Sequence, residues 1–129
     1  MTGKKIGSFR ELKVYQKAFT LQQDIFRLTK PFPKEEVFAL TNQIRRSSRS
    51  IGANIAEAWQ KRRYAAHFTS KLTGFDAQQA ETQHWLDTSL ACQYISPTKH
   101  ALLMRRCREV GRVLGKMLAE PEKWCPTRR

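Results

Sequence analysis

The sequence predicts an all-α protein built as an antiparallel up-down four-helix bundle. Apolar residues recur at helical spacing along almost the whole chain, and no run alternates with period two. No Asn-Gly or Asp-Gly hairpin turn appears, and prolines interrupt the helical pattern at intervals that leave only short connections. Helices joined by short loops pack as antiparallel neighbours, and a chain of 129 residues supports one core.

The first helix is expected from about Phe9 to Lys30. Pro31-Phe32-Pro33 stops it, because proline has no amide donor and restricts the residue before it. Two apolar seams run along this helix, one of Leu12, Tyr15, Phe19 and Phe26, the other of Val14, Ala18, Leu21, Ile25 and Leu28. Together they exceed the ~100° stripe that a surface helix needs. One seam can face the chain's own core, and the other then needs a second partner. Val14, Ala18, Leu21, Ile25 and Leu28 are expected at a subunit interface in a homo-oligomer; the alternative is a central, deeply covered helix within a monomer.

The second helix begins near Lys34-Glu35-Glu36, where acids suit the positive end of the helix dipole, and continues to about Arg63. Val37, Leu40, Ile44, Ile51, Ile55, Ala58 and Trp59 fall on one face, with Arg45, Arg46 and Arg49 opposite. The third helix covers roughly Ala65 to Tyr94. Ser96-Pro97 then supplies an N-cap and a proline at the first helical position. The fourth helix ends near Ala119, before Pro121. Its core seam is Leu103, Cys107, Val110, Leu114 and Met117, in 4-3-4-3 spacing. Gly111 and Gly115 on its flank suggest close backbone approach, since a helical glycine costs ~1 kcal/mol relative to alanine. Residues 1–8 form a flexible arm, 9–119 the bundle domain, and 120–129 a basic tail expected to be disordered in isolation.

Charge sets the expected partner. The chain carries 24 Lys and Arg against 11 Asp and Glu, a formal charge of +13. Such a field favours polyanions, RNA or DNA first, and says nothing about fold. The excess is uneven: Lys71 is the one cation between Tyr64 and Ile95, whereas the fourth helix carries Arg105, Arg108, Arg112 and Lys116 on the face opposite its core seam. That stripe is the first candidate for phosphate contacts, and Arg45, Arg46 and Arg49 are a second group with a mixed structural role. Tyr15, Phe19 and Trp59 read as core positions, leaving Trp124 in the tail as the candidate stacker. No segment is both long and strongly apolar, so no membrane partner is expected. Without an apolar run at the N-terminus, and with only Cys92, Cys107 and Cys125, the expectation is a cytoplasmic protein with reduced thiols.

Catalytic chemistry is sparse. His67, His84 and His100 are isolated from one another and from the cysteines, and no metal-ligand or phosphate-loop spacing occurs. Glu57 and Glu81 could approach each other across the bundle, either as a metal or acid–base pair or, the favoured alternative, bound to arginines or in a polar network. No enzyme activity, cofactor or metal is expected.

Several segments together resemble the bacterial four helix bundle protein family, also called ribosomal-RNA intervening-sequence proteins. Phe9-Arg10-Glu11-Leu12-Lys13-Val14-Tyr15-Gln16-Lys17-Ala18 resembles its opening, and Phe32-Pro33-Lys34-Glu35-Glu36 its first loop. Leu40-Thr41-Asn42-Gln43-Ile44-Arg45-Arg46 and Asn54-Ile55-Ala56-Glu57 resemble its second helix, and Glu81-Thr82-Gln83 its third. Departures are Gly52 where proline is common, Ala58 where glycine is common, and Gln79 where an acid is expected. The resemblance spans roughly Phe9 to Leu118 and implies a homopentameric barrel. It also implies two contexts: proteins encoded within intervening sequences of large-subunit ribosomal RNA genes, and Avd-like accessory proteins of diversity-generating retroelements. The latter work with a reverse transcriptase and its template RNA. The +13 charge favours the Avd-like context, with the intervening-sequence role as a ribosomal-RNA or protein-interaction module the alternative.

Overall fold

Local chemistry marks most helix ends in this computed structural model, which describes residues 6–126. A 3-10 turn, Phe9–Glu11, precedes helix α1, Lys13–Thr29; the Ser8 hydroxyl caps it by accepting from the Arg10 amide at 3.2 Å. After the Pro31-Phe32-Pro33 stop the chain makes a 3-10 turn, Lys34–Glu36, and a π-turn, Val37–Thr41, before α2, Asn42–Gln60. Helix α3 is Ala65–Ala91, and α4 is Pro97–Ala119. The Ser96 hydroxyl accepts from the Lys99 amide at 3.1 Å, and Pro97 fills the first turn of α4, where a missing N–H costs nothing. The end of α3 closes through Tyr94 N–H to Ser89 C=O and Gln93 N–H to Leu90 C=O, both 2.9 Å. That double closure is a Schellman motif, and it holds Gln93 in the left-handed region at φ 63°.

The four helices form a closed ring in chain order, each packed against the next and α4 against α1. Cross-links fix the directions. Ser47 meets Thr82 and Glu57 meets Lys71 between α2 and α3; Asp24 meets Arg106 and Lys17 meets Glu109 between α1 and α4. In each pair rising numbers on one helix meet falling numbers on the other, so the neighbours are antiparallel. No strand occurs among the described residues.

The core follows a 4-3 repeat on every helix. On α4 it is Leu103, Cys107, Val110, Leu114 and Met117, all buried. On α2 it is Ile44, Ser48, Ile51, Ile55 and Ala58. On α1 it is Val14, Ala18, Leu21 and Ile25, the last three with no exposed surface. This corrects the assignment of that seam to a subunit interface: the four side chains are consumed by the subunit's own core, and Leu28 is half-buried at its end. The outward residues of α1 are from the aromatic seam: Phe19 is 45% exposed, and Tyr15 and Phe26 are half-buried, while Leu12 is buried.

Helix α3 carries the repeat through polar residues. Phe68, Leu72 and Phe75 are followed by Gln79, then Thr82, Leu86 and Ser89. The buried hydroxyls are satisfied: Thr82 Oγ1 donates to the Gln78 carbonyl at 2.9 Å and lies 2.8 Å from Ser47 Oγ, while Ser89 donates to the Trp85 carbonyl at 2.8 Å. Gln79 is accommodated by Gly111 across the α3–α4 contact, where a Cβ would sit 3.1 Å from the Gln79 amide nitrogen. The close approach at Gly111 is therefore by a side chain rather than a backbone. Gly115 has no heavy atom near its missing Cβ, so no close approach explains it.

Part of the tail departs from the expected disorder. Pro121–Lys123 forms a short 3-10 turn touching α3 and α4, and Trp124 packs half-buried against the core. That removes Trp124 as a freely exposed stacker. Residues 1–5 of the arm and 127–129 of the tail lie outside the described residues.

Candidate nucleic-acid interface

Helix α4 displays its cations by periodicity. With the core seam turned inward, Arg105, Arg108, Arg112 and Lys116 are exposed on the opposite face, and none contacts a carboxylate among the described residues. From Arg105 to Lys116, eleven rises of 1.5 Å make a stripe about 16 Å long. An unpaired exposed guanidinium keeps its donors for a phosphate, whose oxygens accept two parallel N–H bonds. Arg106, one residue off this face, is turned toward α1, where it and Arg27 share the Asp24 carboxylate. Lys17 and Glu109 form a further α1–α4 pair at 3.2 Å, two-fifths exposed on both sides and so worth no more than ~1 kcal/mol.

The α2 arginines divide. Arg45 Nε donates to Thr29 Oγ1 at 2.8 Å, and its guanidinium lies 4.7 Å from the Phe26 ring centre, so Arg45 ties α2 to the end of α1. Arg49 reaches the same ring at 5.5 Å, and Arg46 is exposed. Arg45, Arg46 and Arg49, together with Asn42, Ser50 and Ala53, line a shallow groove of about 430 Å³. None of them is bound to Glu57, which pairs with Lys71 at 3.3 Å. Glu81 accepts from the Trp85 indole N–H at 3.0 Å. The two carboxylates thus have separate partners, and the network that would have joined them does not form.

The sequence reading missed exposed aromatic surface. Phe38 is 81% exposed, and Tyr64 is 46% exposed on the α2–α3 connection. Phe38 lies in the π-turn, where one extra residue per turn shifts the register ahead of α2. Its position between Val37 and Leu40 of the apolar face was the available signal: one residue past Val37 turns it off that face.

The other reactive side chains are dispersed. His67 packs on Tyr64, His84 on Trp85, and His100 lies 2.8 Å from an Asp87 oxygen. Among the described residues no group of three or more His, Cys, Asp or Glu could hold a metal ion. Burial pushes the Cys107 thiol up to about 12, against a small lowering by Arg108, so it stays protonated at neutral pH. Among the described residues no helix is long and apolar enough to cross a membrane.

Comparison with known proteins places this bundle. A crystal structure of a protein with unknown function from the S23 ribosomal protein family of Bacteroides thetaiotaomicron matches with a TM-score of 0.75 and 29% identity, over 82% of this chain and 95% of that one. No match is found among curated proteins. The family model for the 23S rRNA-intervening sequence protein matches residues 10–116, nearly the entire bundle. The chain belongs to the 23S rRNA-intervening sequence protein family.

Proposed function

We propose that this protein is a non-enzymatic RNA-binding scaffold, assembled from several copies and acting in the cytoplasm. The observation that carries the reading is the α4 stripe: Arg105, Arg108, Arg112 and Lys116 stand exposed and free of carboxylates on a chain of charge +13. Phosphate contacts would dominate, giving weak sequence preference and strong salt dependence. Arg46 and Arg49 add a second basic area on α2. The dispersed histidines and the separately engaged Glu57 and Glu81 support a binding role over catalysis.

The assembly we favour is a homopentamer, implied by the family resemblance. Copies would meet at the outward aromatic seam of α1, where Phe9, Tyr15 and Phe19 line a groove with Gly52, Ala53 and Ala56. Five copies at +13 each would need a polyanionic partner to offset their repulsion.

Two contexts supply such a partner. The family description favours an RNA connected with the large ribosomal subunit. The high charge favours an Avd-like accessory role beside a reverse transcriptase and its template RNA. Purification at moderate salt, followed by identification of bound RNA and protein, separates them. Ribosomal RNA supports the first, and a reverse transcriptase with its template supports the second. A protein that binds neither RNA nor DNA overturns the scaffold reading.

A further inference from the structure

Three cations converge on one ring. Lys30 Nζ lies 5.0 Å from the centre of Phe26, with the Arg45 guanidinium at 4.7 Å and that of Arg49 at 5.5 Å. Arg46 lines the adjoining groove with Arg45 and Arg49. Among the described residues no carboxylate pairs with any of these four. The ring face and the C-terminal end of α1 relieve part of their mutual repulsion, but neither supplies a full counter-charge. At the N-terminal side of the groove stands Phe38, four residues before Asn42 and 81% exposed. The Phe38 carbonyl accepts from the Gln43 side-chain amide at 3.2 Å, so Phe38 stands one turn ahead of the groove that begins at Asn42.

We propose that this α1–α2 face binds a single-stranded nucleic acid, with phosphates over Lys30 and Arg46 and an unpaired base stacked on Phe38. The proposal rests on the RNA-binding reading and adds a second site with strand preference, which the α4 stripe does not provide. A base can lie on Phe38 only when it is free of its own duplex. A second copy of this chain is a poorer occupant. Asp24, Glu36, Glu57, Asp87, Glu109 and Glu120 are already engaged within their own subunit, so a neighbouring copy brings mainly more positive charge.

The test uses the assembled protein and three fluorescent probes of equal length: a 20-nucleotide oligouridylate, an abasic strand and an RNA duplex. Phe38→Ala, on an exposed side chain, is expected to weaken oligouridylate binding about 5-fold or more, within the range of one lost base stack. It should leave the abasic strand and the duplex nearly unchanged. Lys30→Gln with Arg46→Gln, both outside the groove assigned to contact between copies, is expected to weaken oligouridylate and the abasic strand alike and to lower the salt slope by about 1.4. Equal weakening of all probes by Phe38→Ala, or no effect of either change while replacement of the α4 arginines abolishes binding, overturns the site and leaves the scaffold reading standing. A fall in assembly mass with either variant shows instead that copies meet there, and also overturns the site. If the unaltered protein binds no probe, the scaffold reading fails with it.

Discussion

Leu21→Ala distinguishes a core seam from a subunit interface. Leu21 has no exposed surface within its own subunit and sits in a 4-3 seam with Val14, Ala18 and Ile25. Truncating a leucine in such a position removes its transfer free energy and leaves a cavity, together costing about 2–5 kcal/mol. A domain of this size has roughly 5–15 kcal/mol of stability, so the loss is a substantial share of the whole. At about 3–5 °C per kcal/mol for this chain length, the melting temperature should fall by roughly 6–25 °C. The control is Phe19→Ala, which alters a side chain that is 45% exposed on the outward face of α1. That change should move the melting temperature by only a few degrees and act on assembly mass instead. Circular dichroism melts and light scattering at matched protein concentration read both quantities, since association itself raises apparent stability. Should Leu21→Ala lower the mass while leaving the melt unchanged, the seam faces another subunit and the packing described here is wrong.

Two other changes probe local features. Gln93→Gly should stabilise the protein by about 1 kcal/mol, because glycine removes the Cβ penalty at φ 63° while the Schellman hydrogen bonds remain; a loss of stability in thermal melts would show that the Gln93 side chain contributes something the backbone does not. In the native state Cys92, which is exposed, should react with a disulfide reagent in seconds to minutes at pH 8. Cys107, buried and held near a pKa of about 12, should react only on unfolding. Mass spectrometry of the labelled peptides reads the order, and equal labelling of both thiols in the folded protein would contradict the core position of Cys107.

Much of the fold was legible because one repeat governs it. The α4 seam stood out because Leu103, Cys107, Val110, Leu114 and Met117 are all apolar and the opposite face is charged. Helix α1 was ambiguous because both of its seams are apolar, so hydrophobicity could not choose between them. Both seams keep the 4-3 repeat, and the difference between them is continuity: Val14, Ala18, Leu21, Ile25 and Leu28 are apolar without a break, whereas Gln22 interrupts the other seam. In α3 the repeat was hidden by Gln79, Thr82 and Ser89, whose polarity conceals core positions that only cross-helix partners such as Ser47 and Gly111 explain. The exposed α4 arginines followed from periodicity alone. The cation cluster around Phe26 did not, because Lys30, Arg45 and Arg49 belong to two helices and come together only after those helices pack. Exposure of Phe38 was signalled only by its place one residue past Val37 on the apolar face; the π-turn that sets its register has no sequence signature of its own.

We propose that exposed, carboxylate-free arginines on α4 bind nucleic-acid phosphates. The most direct measurement is the salt dependence of affinity for a single-stranded RNA, with and without Arg105→Gln, Arg108→Gln and Arg112→Gln together. Each lost phosphate contact on a single strand should lower the steepness of log K against log salt by about 0.7. The triple change is therefore expected to reduce the slope by about 2, with assembly mass and melting temperature unchanged. A flat salt response in the unaltered protein, or an unchanged slope in the triple variant, would contradict it.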